Sequence, residues 1–195
     1  MKLTHLFVLS AAAVVPAGAM AADPQVDLKT NLGTIRLELY PAAAPKTVDN
    51  FLQYVKDGHY NGTIFHRVID GFMIQGGGFD KNFKEKNTRA PVVNEASSGV
   101  KAGHMNKMGT VAMARTSDPN SATAQFFINI NDNDFLNWGN PRSDGNGYAV
   151  FGKVVSGLEV VNKIAKLPTG SGGPMPRDVP KQPVIIESAT VVGAK

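Results

Sequence analysis

The chain has 195 residues, a formal net charge of +4 and no cysteine. That length fits one domain, and the missing cysteine excludes disulfides, thiolate metal sites and thiol catalysis. Hydrophobic residues make up 43% and charged residues only 18%, which excludes a disordered chain, and the scattered basic residues (densest over Lys81–Arg89, where Glu85 interrupts them) argue against a nucleic-acid partner.

Residues 1–22 read as a cleaved export signal. Lys2 precedes an apolar run over residues 6–15 that is too short to span a bilayer. Pro16 and Gly18 break the run, and Ala19-Met20-Ala21 fits a small-x-small cleavage site. A single domain over residues 23–195 is expected to remain, located in a bacterial periplasm.

The mature part opens with a predicted hairpin over residues 26–39, turning at Asn31-Leu32-Gly33, with Ile35, Leu37 and Leu39 on one face. A helix is predicted from Pro45 to Gly58, since Val48, Phe51, Leu52 and Val55 form one apolar stripe. Strands follow over residues 63–69, 72–75, 110–114, 125–130 and 148–155, separated by long loops rich in Gly, Asn and Asp. A second helix is predicted from Ser156, with Ser156 and Glu159 as a capping box and Leu158, Val161, Ile164 and Ala165 as its buried face. Residues 168–183 read as a Pro- and Gly-rich loop, and residues 183–192 as a last strand. Roughly eight short strands and two helices suggest an antiparallel barrel or sandwich.

Few residues suit acid, base or metal chemistry. His59, His66 and His104 lack metal-ligand spacing, and His66 within Ile64-Phe65-His66-Arg67-Val68 reads as structural. Asp132 and Asp134 sit in a polar turn and make no convincing acid/base pair. Gly76-Gly77-Gly78 lacks the Lys-Ser/Thr of a phosphate loop. What remains is Arg67 in an otherwise apolar strand, with Phe72, Met73, Gln75, Phe126, Phe127, Phe135 and Leu136. These residues allow either an apolar pocket edged by an arginine and amides or an ordinary core.

Five ordered motifs point further. Phe65-His66-Arg67-Val68-Ile69, Gly71-Phe72-Met73-Ile74-Gln75-Gly76-Gly77, Ala112-Met113-Ala114-Arg115, Gln125-Phe126-Phe127-Ile128 and Val150-Phe151-Gly152-Lys153-Val154 resemble the signature segments of cyclophilins. The likeness covers about residues 26–192 and is nearest to the short periplasmic branch. It implies a mainly β fold, a closed eight-stranded antiparallel barrel capped by two α-helices. It also implies a cofactor-free peptidyl-prolyl cis-trans isomerase acting on proline-containing peptides and unfolded proteins. The alternative is a noncatalytic proline-peptide binder or chaperone.

Carried over by motif, the catalytic residue is Arg67, and Phe72, Met73, Phe127 and Leu136 form the proline pocket. Gln75 bonds the peptide backbone, while Ala114, Arg115 and Gln125 line the groove. Phe135 stands where many eukaryotic members have tryptophan. The missing indole N–H predicts weak cyclosporin binding. Tyr148 replaces a frequent histidine beside the pocket, and Arg115 replaces an asparagine. Trp138 lies in a poorly matching loop over residues 137–147. A monomer without nucleic-acid or membrane partners is expected.

Overall fold

The computed structural model describes residues 22–193. The predicted signal segment lies outside the described residues except for Ala22. Eight strands close one barrel: β1 (Gln25–Thr30), β2 (Gly33–Leu39), β3 (Thr63–Ile69), β4 (Met73–Asp80), β5 (Thr110–Met113), β6 (Phe126–Asn129), β7 (Val150–Ser156) and β10 (Ile185–Val191). Their order around the barrel is β1-β10-β3-β4-β6-β5-β7-β2, and β2 pairs back to β1. Every pairing is antiparallel. The expected closed barrel is therefore present, and closure leaves it no free edge.

Alternation fills the interior. Val26, Leu28, Ile35, Leu37, Leu39, Ile74, Val111, Phe126, Ile128 and Ile186 share one core. Helix α1 (Pro45–Lys56) begins with the predicted proline and adds Val48, Phe51 and Val55 to that core. Phe51 packs against Tyr60, Phe126 and Phe151 at ring separations of 5.1, 5.6 and 5.0 Å. Leu52 is only half-buried, and Tyr54 takes the inward place instead. α1 has no side-chain cap of its own. Glu95, almost fifty positions away, accepts bonds from the Lys46 and Thr47 amides (3.2 and 2.8 Å) and from the Thr47 hydroxyl (2.8 Å). A carboxylate there also complements the helix dipole.

Three local expectations are corrected. Helix α3 (Leu158–Ala165) is capped by Gly157 rather than by a Ser156–Glu159 box, and Ser156 ends β7. Gly157 has φ +84, and a Cβ there would lie 2.2 Å from the Thr34 carbonyl oxygen, so only glycine suits the crossing. Val160 joins the buried face, while Leu158 is half-buried. A third helix, α2 (Ala96–Lys101), was not foreseen, because six residues are too few for a periodic stripe. The predicted loop over 168–183 holds a hairpin, β8 (Thr169–Gly172) and β9 (Met175–Pro180), packed beside β3. Its residues are mostly exposed or half-buried, so no apolar alternation announces it.

Candidate active site

The barrel's outer face carries a second, separate apolar cluster. Met73, Ala112, Phe127, Leu136 and Val150 form it, flanked by Ile69, Phe72, Ala114 and Tyr148. Strand alternation divides the paired aromatics: Phe126 points into the barrel core and Phe127 out of it. Strand register then aligns a row of side chains across neighbouring strands. Arg67 on β3 pairs with Gln75 on β4, Gln75 with Phe127 on β6, and Phe127 with Ala112 on β5.

A bulge aims Arg67. Phe65 pairs with Gly76 but Arg67 pairs with Gln75, so His66 is an extra residue on β3. Without it, strict alternation would place Phe65 and Arg67 on one face. With it, Phe65 and Val68 are in the barrel core while Arg67 is exposed beside the outer cluster.

These residues surround a cavity of about 260 Å³ lined by Arg67, Phe72, Met73, Gln75, Ala114, Arg115, Phe127, Leu136 and Tyr148. That is below the roughly 300–1,000 Å³ of drug-sized ligand pockets, and it suits a single ring with its backbone. All nine are sequence-predicted site residues. The other two adjoin it. Phe135 stacks on Phe72 at 5.7 Å and is 37% exposed. Gln125 stands behind Gln75, accepting its amide N–H at 3.0 Å. Gln125 also covers Gly78, where a Cβ would meet its Cγ at 2.6 Å. The glycine run thus makes room for a side chain in a strand.

Arg67 donates one bond, at 3.4 Å, to the Gln75 side-chain oxygen, and it makes no ion pair among the described residues. Its other N–H groups are available at the pocket edge. Arg115 is the opposite case. Its side chain is 3% exposed and bonds Gly147 O through Nε and Nη2 (3.1 and 3.0 Å), Asp144 through Nη2 (2.7 Å) and Thr116 O through Nη1 (2.9 Å). It lies 4.4 Å over the Tyr148 ring, which meets Phe127 edge-on. Arg115 therefore lines the pocket as a clamp on the loop over 137–147. Trp138, in that loop, is 44% exposed, with the Lys101 ammonium 5.7 Å from its ring.

A buried asparagine network, which sequence reading missed, fixes the pocket's far wall. Asn106 Nδ2 donates to Leu136 O and Tyr148 O (3.2 and 3.3 Å). Asn129 Nδ2 donates to Asn106 Oδ1 (3.2 Å), and Asn133 Nδ2 donates to Asn129 Oδ1 (2.7 Å) and Phe72 O (2.9 Å). Three pocket residues are thus tied together through their backbones. Of the four buried asparagines, Asn106, Asn133 and Asn137 stand in polar loop stretches, where asparagine usually marks a turn, and Asn129 ends β6, so the sequence offered no signal for the network.

The histidines and the Asp132–Asp134 pair do not line this pocket. Burial pushes the His66 imidazole down to about 4, and its Nδ1 has no hydrogen-bond partner. Burial also lowers His59 and His104. Asp132 and Asp134 are exposed and pair with Lys107 at 3.2 and 2.8 Å. A larger concavity, about 930 Å³, lies elsewhere, among Asp57, Asp80, Lys84, Lys86 and Arg89. It is wide, and charged and amide side chains make up most of its lining residues; two of its cations are committed, Arg89 to Asp57 and Lys86 to the His59 and Asn61 carbonyls. No residue of the outer apolar cluster lines it.

The family model described as cyclophilin type peptidyl-prolyl cis-trans isomerase/CLD matches residues 25–191. A peptidyl-prolyl cis-trans isomerase of Acinetobacter baylyi is 58% identical over 170 residues, covering 87% of this chain and 86% of that protein. Peptidyl-prolyl cis-trans isomerase B of Escherichia coli is 55% identical, with 85% and 98% covered. A crystal structure of a Cryptosporidium parvum cyclophilin type isomerase, in the presence of the dipeptide Ala-Pro, superimposes with a TM-score of 0.67 at 27% identity, covering 87% of this chain and 99% of that one.

Proposed function

The chain belongs to the cyclophilin-type peptidyl-prolyl cis-trans isomerase family and is an isomerase of X–Pro peptide bonds, and we propose that it turns them over in the Arg67 pocket of the barrel's outer face. Amide resonance holds such a bond behind a barrier of about 18–20 kcal/mol. Rotation through the twisted state destroys the resonance, and the proline nitrogen regains a lone pair. No covalent bond breaks, so the site needs only to bind the twisted form more strongly than the planar one.

Phe72, Met73, Phe127 and Leu136 hold the proline ring in apolar surroundings. Leaving water disfavours the charge-separated planar amide. Arg67 donates to the nitrogen lone pair only after twisting has created it. A hydrogen bond to a charged group contributes roughly 1.5–3 kcal/mol, and each ~1.4 kcal/mol is tenfold in rate. Orientation and desolvation supply the rest. Gln75, held between Arg67 and Gln125, offers its amide to the peptide backbone. Ala114, Arg115 and Tyr148 line the groove, and Phe135 forms its rim through Phe72.

The observation that carries this reading is an exposed guanidinium, free of ion pairs among the described residues, at the lip of the apolar cavity. NMR exchange on an Ala-Pro peptide tests it. Arg67→Ala is expected to lower kcat/KM at least about tenfold with the fold intact. Arg67→Lys is expected to do little better, because the planar fork is lost. Undiminished turnover in folded Arg67→Ala would remove Arg67 from the mechanism.

In this reading residues 1–22 direct export and are removed, and residues 23–195 act as a monomer on unfolded secreted proteins in the periplasm. Lys2, the short apolar run after it and the small-x-small site support this, and no helix of the described residues is long and apolar enough to cross a membrane. Cyclosporin binds weakly because Phe135 offers no N–H donor.

A further inference from the structure

The β8–β9 hairpin builds a second cavity on the other side of Arg67. Its volume is about 270 Å³, and His66, Arg67, Met175, Pro176, Arg177 and Asp178 line it. Arg67 lines both this cavity and the apolar pocket, so the two adjoin. The hairpin is fixed in place. Phe83 fills the space against its tip so closely that a Cβ on Gly173 would lie 2.3 Å from the Phe83 ring. Val179 and Pro180 are buried, and the Lys181 amide bonds Pro168 O at 2.9 Å.

The chemistry of this cavity differs from that of the first. Met175 and Pro176 give it apolar contact, and two guanidiniums face one carboxylate. Arg177 is 83% exposed and reaches Asp178 only at 3.5 Å, too long for a firm bond. Asp178 is held at φ +67, a conformation that short polar residues tolerate. The cavity thus keeps a net positive edge close to the rotating bond.

We propose that the β8–β9 hairpin forms a subsite for a substrate residue flanking the X–Pro bond, and that Arg177 makes it prefer an acidic side chain. The inference rests on the isomerase reading above. A peptide with its proline in the first cavity continues across Arg67 into the second. Arg67 serves the bond itself, and Arg177 selects the neighbour. Because Arg177 is exposed, the preference is modest and screened by salt.

The test is NMR exchange with the purified full chain on Ala-Pro peptides bearing Glu, Ala or Lys at each of the positions flanking the proline. At one position the Glu peptide should exceed the Lys peptide in kcat/KM by about threefold or more at low salt. Arg177→Glu should invert that ratio, Arg177→Ala should flatten it, and raising the salt should shrink it. A ratio near one at every position, or a ratio that Arg177→Glu leaves unmoved, overturns the subsite while turnover of the Ala peptide remains. Absent turnover of the Ala peptide would instead overturn the isomerase reading.

Discussion

Replacing Asn129 with alanine tests whether the buried amide network shapes the Arg67 pocket. Asn129 is fully buried. Its Nδ2 donates to Asn106 Oδ1 at 3.2 Å and Thr110 Oγ1 at 3.0 Å, and its Oδ1 accepts from Asn133 Nδ2 at 2.7 Å. Alanine removes all three bonds. Thr110 still donates to Lys107 O and Asn133 still bonds Phe72 O, but Asn106 Oδ1 is left without a partner. Three bonds at about 1 kcal/mol each put the loss at about 3 kcal/mol, a lower bound because the orphaned Asn106 acceptor adds to it. For a protein of this size that is a fall in Tm of about 6–12 °C. The loss has a direction, because Asn106 and Asn133 hold the Leu136, Tyr148 and Phe72 carbonyls. KM for an Ala-Pro peptide should rise more than kcat falls, since Arg67 stands on the opposite wall. Thermal unfolding and NMR exchange on the same sample give both readings. Asn162→Ala, on the exposed face of α3, should move stability by no more than about 0.5 kcal/mol. A Tm within 2 °C of the parent (about 1 kcal/mol or less) with unchanged KM would refute the assignment.

If isomerisation proceeds as proposed, with no titrating group acting on the substrate, turnover should be nearly flat between about pH 6 and 9; a bell-shaped profile would point to an acid or base instead. Stability should follow pH differently. His66 titrates near 4 in the fold against 6.5 when unfolded, so the unfolded chain binds more protons between those values. The His66 contribution is complete above pH 6.5 and lost as pH falls toward 4, amounting to about 3 kcal/mol. His66→Phe should remove that part of the slope in urea titrations at pH 7 and pH 4.5. Arg115→Ala should cost about 2 kcal/mol by freeing the loop over 137–147, with KM raised more than kcat is lowered. Arg115→Lys should not restore KM, since a point charge cannot span Gly147, Asp144 and Thr116 together. Phe135→Trp should tighten cyclosporin binding by about two- to tenfold, measured by fluorescence titration, if an indole N–H supplies one further hydrogen bond.

Much of the site was legible in the chain because its motifs lie within strands. The segments around Arg67, Gln75 and Phe127 each place one outward residue beside inward ones, and antiparallel pairing brings those strands together. Arg115 shows the limit of such reading. Its place beside the pocket was expected, but not that its donors are consumed by Gly147, Asp144 and Thr116, which depends on how a long loop folds back. The β8–β9 hairpin was hidden for a different reason. It is held by backbone pairing and by Phe83 from a distant loop, neither of which leaves a periodic trace.

The sequence by itself determined the eight barrel strands and the two main amphipathic helices, since local periodicity specifies them, and the residues gathered at the pocket through the resemblance of its motifs to cyclophilin segments. Tertiary structure alone decided which way Arg67 points, because the bulge at His66 exists only against Gly76 and Gln75 on the neighbouring strand. It also decided the Glu95 cap on α1, the asparagine network behind Leu136 and the hairpin beyond Arg67. Each of these joins residues far apart in the chain, and such contacts follow from barrel closure rather than from any local pattern.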